Sequence, residues 1–435
     1  MRFLGVGDTC DLGSLYLRLA AEGHDVRVSI SEPLCQGTLA GMLPRTDDWT
    51  LDLPWIREAG EDGIILFENV ADGAGSRQDA LRADGYNVVG GSAFGDRLEN
   101  ERAYAQNVLL GLGLPIAEIA EFDRPEQSAA HIASRPRRYV LKFNGGDFGA
   151  ADNYIGRLSD GRDVQAMVEA KFRQTKAKRI SFVLMDHVQG VEMGVGAYFD
   201  GANFLSPACL DWEHKKFFPG DLGELTGEMG TVVTYRRTAT FFDKTLARMA
   251  PLLRAHGYCG YINLNTIVND IGIWPLEFTC RFGYPGYAIL EPLQITSWPN
   301  LFKSLTTRSG LRFETRPGFS VGVVMTTRPF PYVRMFVPEP IGLPVMFESP
   351  LSDEDRLNLH FGEMALDDDG QLVTAGYHGW TMVVTGRGET VAKAQSKAYD
   401  LASRVLVPNL RYRNDIGMKL VAGDLDAIER LGLLD

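Results

Sequence analysis

A chain of 435 residues, 45% hydrophobic and 23% charged, has core enough for roughly two to four globular domains. Its net charge of −12 and pI near 5.2 exclude the basic footprint by which nucleic acid is usually held. No apolar run reaches the roughly 18 residues that a membrane-spanning helix needs.

Met1 leads straight into the strand-like R-F-L-G-V of residues 2–6 with no cleavable apolar region, so no signal peptide is expected. The five cysteines (Cys10, Cys35, Cys209, Cys259, Cys280) form no C-x-x-C pair. Such a dispersed set reads as reduced thiols in a cytoplasmic protein. The seven histidines show no metal-binding spacing, which argues against zinc.

In chain order, the strand at 2–6 is followed by the turn Gly7 to Gly13, a helix from Ser14 to Glu22, and a strand from Val26 to Ile30. Short apolar strands recur at Ile64–Phe67 and Asn87–Val89, an alternation that predicts an open parallel α/β sheet. The G-x-G at Gly5 and Gly7 lacks the third glycine of a dinucleotide fingerprint, because Cys10 stands there. A small-ligand turn and a purely structural turn both fit it.

Leu98 to Leu112 predicts one amphipathic helix, stopped by Gly113 and Pro115. Tyr139 to Phe143 is a strand with Lys142 inside an apolar run, leading into the glycine loop N-G-G-D-F-G at 144–149. Either Lys142 and the loop serve phosphate, or Lys142 snorkels from an edge strand above a simple turn. After a helix at Val164 to Phe172 and a strand at Ile180–Met185, two strands around Gly190 carry Glu192. Residues 211–230 read as a long, glycine-studded, structureless segment, which marks it as functional or mobile. Phe241 to His256 predicts a helix, and Gly260 to Val268 a strand with Asn263 and Asn265 facing one way.

The turn Asp270–Gly272 then opens W-P-L-E-F-T-C-R-F-G-Y-P, residues 274–285. On a strand, Glu277, Thr279 and Arg281 share one face. They serve either as a structural ion pair or as a site where carboxylate meets a cation and guanidinium meets phosphate. The hairpin brings Asn265 near Glu277. From about residue 320 a further unit begins, with several short strands and a helix at Val391–Val405.

Five segments in this order resemble the ATP-grasp ligases, and within them the glycinamide ribonucleotide synthetases (phosphoribosylamine–glycine ligases). L-E-N-E-R-A-Y-A-Q (98–106) is similar to the family's L-E-G-S-K-A-F-x-K, with Arg102 at the phosphate-binding lysine. V-L-K-F-N-G-G-D-F-G (140–149) resembles V-V-K-A-D-G-L-A-A-G. G-D-L-G-E-L-T-G-E-M-G (220–230) resembles G-D-x-G-P-N-T-G-G-M-G, and L-E-F-T-C-R-F-G-Y-P matches I-E-F-N-C-R-F-G-D-P. Y-R-N-D-I-G (412–417) matches Y-R-x-D-I-G.

The resemblance implies an α/β protein with an N-terminal open parallel domain (1–97), an ATP-grasp domain (98–319, lid at about 116–188) and a C-terminal mixed α+β domain (320–435). It implies an ADP-forming ligase that joins a carboxylate to an amine through an acyl phosphate, with ATP and Mg²⁺ as cofactors and Mn²⁺ able to stand in. Lys142 and Arg281 would be catalytic. Arg102, Lys142, Gly145, Gly146, Asp186, Val188, Glu192 and Arg281 would bind ATP, with Leu184 to Val188 as the adenine hinge and Glu192 on the ribose hydroxyls. Glu213, Lys215, Asp221, Thr226, Gly227 and Met229 would bind the carboxylate substrate. Glu277, Asn265 and Thr279 would ligate the metal. The partners are small-molecule substrates, and the expected assembly is a monomer or homodimer.

The departures point to altered specificity. Thr279 replaces a metal-ligating asparagine, Ala150 a lysine of the glycine loop, and Glu228 a glycine. The N-terminal turn has Thr9, Cys10 and Asp11 where the family carries an arginine and a histidine. T-A-G-Y-H-G-W (374–380) loses another arginine. A 5-phosphate would meet less positive charge at both places. Two other readings are a ligase with a different substrate pair and a weakened nucleotide-binding protein on the same scaffold.

Overall fold

The computed structural model describes residues 1–68, 73–144, 152–174, 180–332 and 337–435. Its N-terminal part is a four-stranded parallel sheet ordered Asp25–Ile30, Arg2–Gly7, Gly63–Phe67, Val88–Val89. The Gly13–Ala21 helix follows the first strand. The alternating strand and helix periods in the sequence thus report this part faithfully.

The body is an eight-stranded antiparallel sheet. Its order is Ile273–Thr279, Cys259–Val268, Val191–Asp200, Cys209–Glu213, Gly230–Thr234, Phe319–Thr326, Trp380–Gly388, Leu359–Phe361. The sheet continues across residue 320, since Gly230–Thr234 pairs with Phe319–Thr326. Both of its faces are covered. Cys209 and Val233 join the core shared with the N-terminal sheet, whereas their neighbours Leu210 and Val232 join a second core on the far face. That alternation is the two-residue period of a strand buried on both sides. The region expected as the lid is a four-stranded sheet, ordered Ile119–Phe122, Phe182–Asp186, Tyr139–Phe143, Tyr154–Ile155, which packs its own core under the helices Pro125–Ser134 and Arg162–Gln174.

Three local expectations change. The single helix at Leu98–Leu112 is two helices, Ala93–Asn100 and Arg102–Gly111, broken at Glu101 (φ −100°, ψ 84°). Apolar periodicity continues across the break and conceals it; the break frees Glu99 to reach Cys280 and Arg281. Phe241 to His256 is likewise split into Ala239–Lys244 and Ala250–Ala255, with Pro251 at the start of the second piece. Residues 211–230 are not structureless. Lys216–Phe218 pairs with Leu222–Leu225 through a turn in which Gly220 adopts φ +70°, a conformation that glycine takes without strain.

Candidate active site

The hairpin register sets Asn265 opposite Glu277 and Asn263 opposite Thr279. Together with Arg281 these residues line a cavity of about 200 Å³ on the sheet face toward the N-terminal part. The strand ends at Thr279, so strand geometry aligns only the acid and the hydroxyl, and Arg281 reaches the cavity from the bend that follows.

At the mouth stands Lys215, its side chain 18% exposed. Its Nζ lies 2.9 Å from Glu277, 3.1 Å from Glu192 and 3.2 Å from Glu213. Burial works against the ammonium, but Glu277, Glu213 and Glu192 outweigh it and raise its pKa well above the usual lysine value. Reciprocally, Lys215, with Lys142 behind it, holds the Glu277 carboxyl down to about 2. Asn265 Nδ2 donates to Glu192 at 3.1 Å and to Glu213 at 3.3 Å. In this arrangement Asn265 spaces two carboxylates rather than turning toward Glu277.

Lys142 and Arg102 complete the basic side. Burial lowers Lys142 to about 8, with the Arg102 charge beside it adding to the effect. Burial also lowers Arg102, while Glu277 raises it; its guanidinium meets Met185 Sδ of the lid sheet at 3.7 Å. Arg281 is steered by Glu99, whose Oε1 accepts from Nε at 3.0 Å while Oε2 accepts the Cys280 N–H at 2.8 Å.

The remaining expected site residues fall in different places. Thr226 is buried and donates through its hydroxyl to the Lys215 carbonyl at 2.8 Å, bracing the loop. Gly227 lines the cavity. Met229 is fully buried beside Phe217 and Phe330, and Asp221 is occupied by Arg413 and Lys419 away from the cavity. These two support the loop from behind. Arg413, itself fully buried, also binds Asp415 and the Lys216 carbonyl, so Y-R-N-D-I-G clamps the 216–225 hairpin. Asp186 pairs with Arg137, and Val188 packs on Ala117, Val183 and Met185. Gly145, Gly146 and Ala150 lie outside the described residues.

Sequence reasoning passed over four acids. Glu99 sits inside a quoted motif. Asp211 alternates with Glu213 and Lys215, both already expected at the site, but its own signal is hidden because 211–230 reads as loop. Burial pushes Asp211 up to about 8, with Glu213 adding repulsion. Glu68, 1% exposed, accepts the Asp11 N–H at 2.6 Å, and burial with the nearby Asp11 pushes it up to about 8. Glu363 accepts N–H bonds from His378, Gly379 and Trp380 at 3.0, 2.6 and 2.9 Å. His378 and Cys35 lie against it, but the turn's N–H groups already engage both carboxylate oxygens. Trp380 stacks on Tyr284 at 5.4 Å between centroids, so this turn closes over the cavity wall.

Residues 100–287 match the model of the phosphoribosylglycinamide synthetase ATP-grasp (A) domain. The chain has the ATP-grasp fold. Phosphoribosylamine–glycine ligase of Halalkalibacterium halodurans is 25% identical over 360 residues, 79% of each chain. That of a Nostoc species is 27% identical over 359 residues, 79% of this chain and 80% of its own. In structure, phosphoribosylamine–glycine ligase of Thermotoga maritima superposes on 96% of this chain and 100% of its own, with TM-score 0.70 at 22% identity. A biotin carboxylase of Campylobacter jejuni superposes on 98% of this chain and 96% of its own, with TM-score 0.63 at 12% identity. These likenesses show a shared fold.

Proposed function

We propose that this ATP-grasp ligase activates a substrate carboxylate with ATP and passes the acyl group to an amine. The observation that carries the reading is the convergence of Glu277, Glu213 and Glu192 on one cationic position, Lys215 Nζ, with Lys142 and Arg102 acting electrostatically on the same carboxylate. Hard carboxylate oxygens of this kind suit Mg²⁺, so the donor set fits the cation. Glu277, with Glu213 or Glu192, would hold it. Bound there, it would neutralise phosphate charge.

In the first step a carboxylate oxygen attacks the γ-phosphorus and the bond to the β,γ-bridging oxygen breaks, releasing ADP. In the second, the amine nitrogen attacks the acyl carbon, the carbon–oxygen bond to phosphate breaks, and the nitrogen gives up a proton. Lys142 and Arg102 hold phosphate oxygens in place. Arg281, kept rigid by Glu99, offers its free N–H groups to charge developing between the transferring phosphoryl and the carboxylate. Positioning and neutralisation supply the catalysis, and no protein nucleophile is required.

The relatives make glycine and phosphoribosylamine the simplest pair. One observation favours a different amine: the N-terminal turn carries Asp11 over buried Glu68, and burial raises the Asp11 pKa, with Glu363 adding to it against Arg281 and His378. Acids in place of basic side chains leave a phosphate little positive charge to pair with there. A coupled ADP-release assay with ATP, Mg²⁺, glycine and phosphoribosylamine separates the two; turnover at ordinary enzyme rates sinks the altered-amine reading. If no carboxylate and amine pair in a broad panel releases ADP, the ligase reading itself fails.

A further inference from the structure

In the turn T-A-G-Y-H-G-W at 374–380, His378 stands where the resembled family carries an arginine. The turn folds onto Glu363, which is 3% exposed. His378, Gly379 and Trp380 donate their backbone N–H groups to its two oxygens. Glycines permit so close a wrap. A Cβ at Gly376 would fall 1.9 Å from Glu363 Oε2, and Gly379 takes φ +82° with its Cβ position 2.3 Å from the Thr327 carbonyl. Glu363 is thereby a fixed carboxylate with room on Oε1 for one more donor. The His378 ring fills it, with Nδ1 3.1 Å from Oε1.

An Nδ1–H donated to a carboxylate leaves Nε2 as the free, basic nitrogen of the ring. Cys35 Sγ lies 3.7 Å from Nδ1, and burial pushes that thiol up to about 12, so it stays neutral beside the ring. Tyr377 meets the ring edge-on at 5.0 Å, and Trp380 stacks on it at 4.8 Å. Trp380 stacks in turn on Tyr284, which lines the cavity together with Arg281. Asp11 of the N-terminal turn is acted on by the charges of both Arg281 and His378. The histidine thus stands where the two turns and the cavity wall meet, and its side chain is 15% exposed.

We propose that His378, oriented by Glu363, is the base that takes the proton from the attacking amine. This deepens the ligase reading and rests on it. The amine nitrogen attacks the acyl carbon, the carbon–oxygen bond breaks, and its electron pair leaves with inorganic phosphate. The proton lost by nitrogen passes to His378 Nε2, and the imidazolium, paired with Glu363, returns it to solvent. Glu363 is a positioning residue: it fixes which ring nitrogen carries the hydrogen and steadies the charge the ring acquires. An arginine at position 378 cannot serve this way, because a guanidinium keeps its protons at any working pH. The replacement exchanges a phosphate-binding charge for a proton acceptor.

The test separates acyl-phosphate formation from amide formation. With ATP, Mg²⁺ and a panel of carboxylates that includes glycine, hydroxylamine traps the acyl phosphate as a hydroxamate. Uncharged near neutral pH, hydroxylamine attacks without a protein base. The same panel with phosphoribosylamine, ethanolamine and methylamine reads the amide step. His378→Asn keeps a donor for Glu363 and removes Nε2. It should cut kcat for the amide about 100-fold, leave hydroxamate formation within a few-fold, and regain part of the amide rate in added imidazole. His378→Gln carries the test if His378→Asn does not fold. Hydroxamate and amide formation falling together overturn the proposal, as does a raised KM for the amine with kcat unchanged. A parent that yields hydroxamate from no carboxylate overturns the ligase reading instead, and this step with it. Long-range proton–nitrogen correlation on selectively labelled histidine reads the ring without turnover. His378 should be the Nδ1–H tautomer, and an Nε2–H tautomer overturns the assignment.

Discussion

Lys215 Nζ lies 2.9 Å from Glu277 Oε1, so the acid expected to hold a metal is paired with an ammonium from the facing loop. Three carboxylates share that one cation. Removing it leaves them facing one another, partly buried. Lys215→Met should therefore lose roughly 2–4 kcal/mol of stability. A divalent cation should restore part of the loss. Thermal melts of parent and variant with and without MgCl₂ check this; the variant should gain more from the metal than the parent does.

Glu277→Gln keeps the shape of the side chain and discards its charge. Lys215 retains Glu192 and Glu213 as partners, so the fold should survive. ADP formation should fall about 100-fold or more, because electrostatic stabilisation of the transferring phosphoryl depends on this carboxylate. The measurement is single-turnover ADP release beside a circular-dichroism melt. Activity within a few-fold of the parent would show that Glu277 is not in the reaction.

Lys142 titrates near the working pH. Held at about 8, its amine loses its charge as pH rises through that value. ATP affinity, measured by titration in the absence of magnesium, should therefore weaken between roughly pH 7 and 9. Lys142→Arg keeps its charge throughout this range and should flatten the profile.

Glu68 predicts a pH dependence of stability. Its folded pKa, about 8, lies above that of an unfolded glutamate. Between roughly pH 4.5 and 8 the folded state binds the extra proton, so stability falls as pH rises through that window. The contribution is fully present below the unfolded value and lost above the folded one. Glu68→Gln removes the titration while keeping an acceptor oxygen for the Asp11 N–H. It should melt higher than the parent at pH 8.5, by about 1–3 kcal/mol of stability, and converge with it near pH 4.5.

Much of the fold is legible in local pattern. The parallel N-terminal sheet follows from short apolar runs alternating with helical periods, and the Cys259–Val268 and Ile273–Thr279 hairpin from its turn residues. The two broken helices were not legible, because apolar periodicity persists through Glu101 and Thr245 and only tertiary contacts decide where the backbone turns. Within the site, Glu277 and Thr279 stand out because one strand displays them together, and Arg281 lies just past the end of that strand. Asp221 and Met229 belong to the same quoted motif as Gly227, yet they brace the loop from outside the cavity. A motif records which residues travel together, not which of them face the ligand.

The sequence by itself determined the fold class, the ATP-grasp motifs in their order, and the strand face that carries acid and hydroxyl. Each of these is a property of neighbours along the chain, and strand periodicity is enough to read it. Only the tertiary structure decided that Lys215 sits among Glu192, Glu213 and Glu277, that Glu99 holds Arg281, and that Asp211 is buried against Asn263. Those partners come from strands and helices up to 182 positions apart. Charge pairing and burial between them depend on how the sheet and the N-terminal part close on one another, which no local pattern encodes.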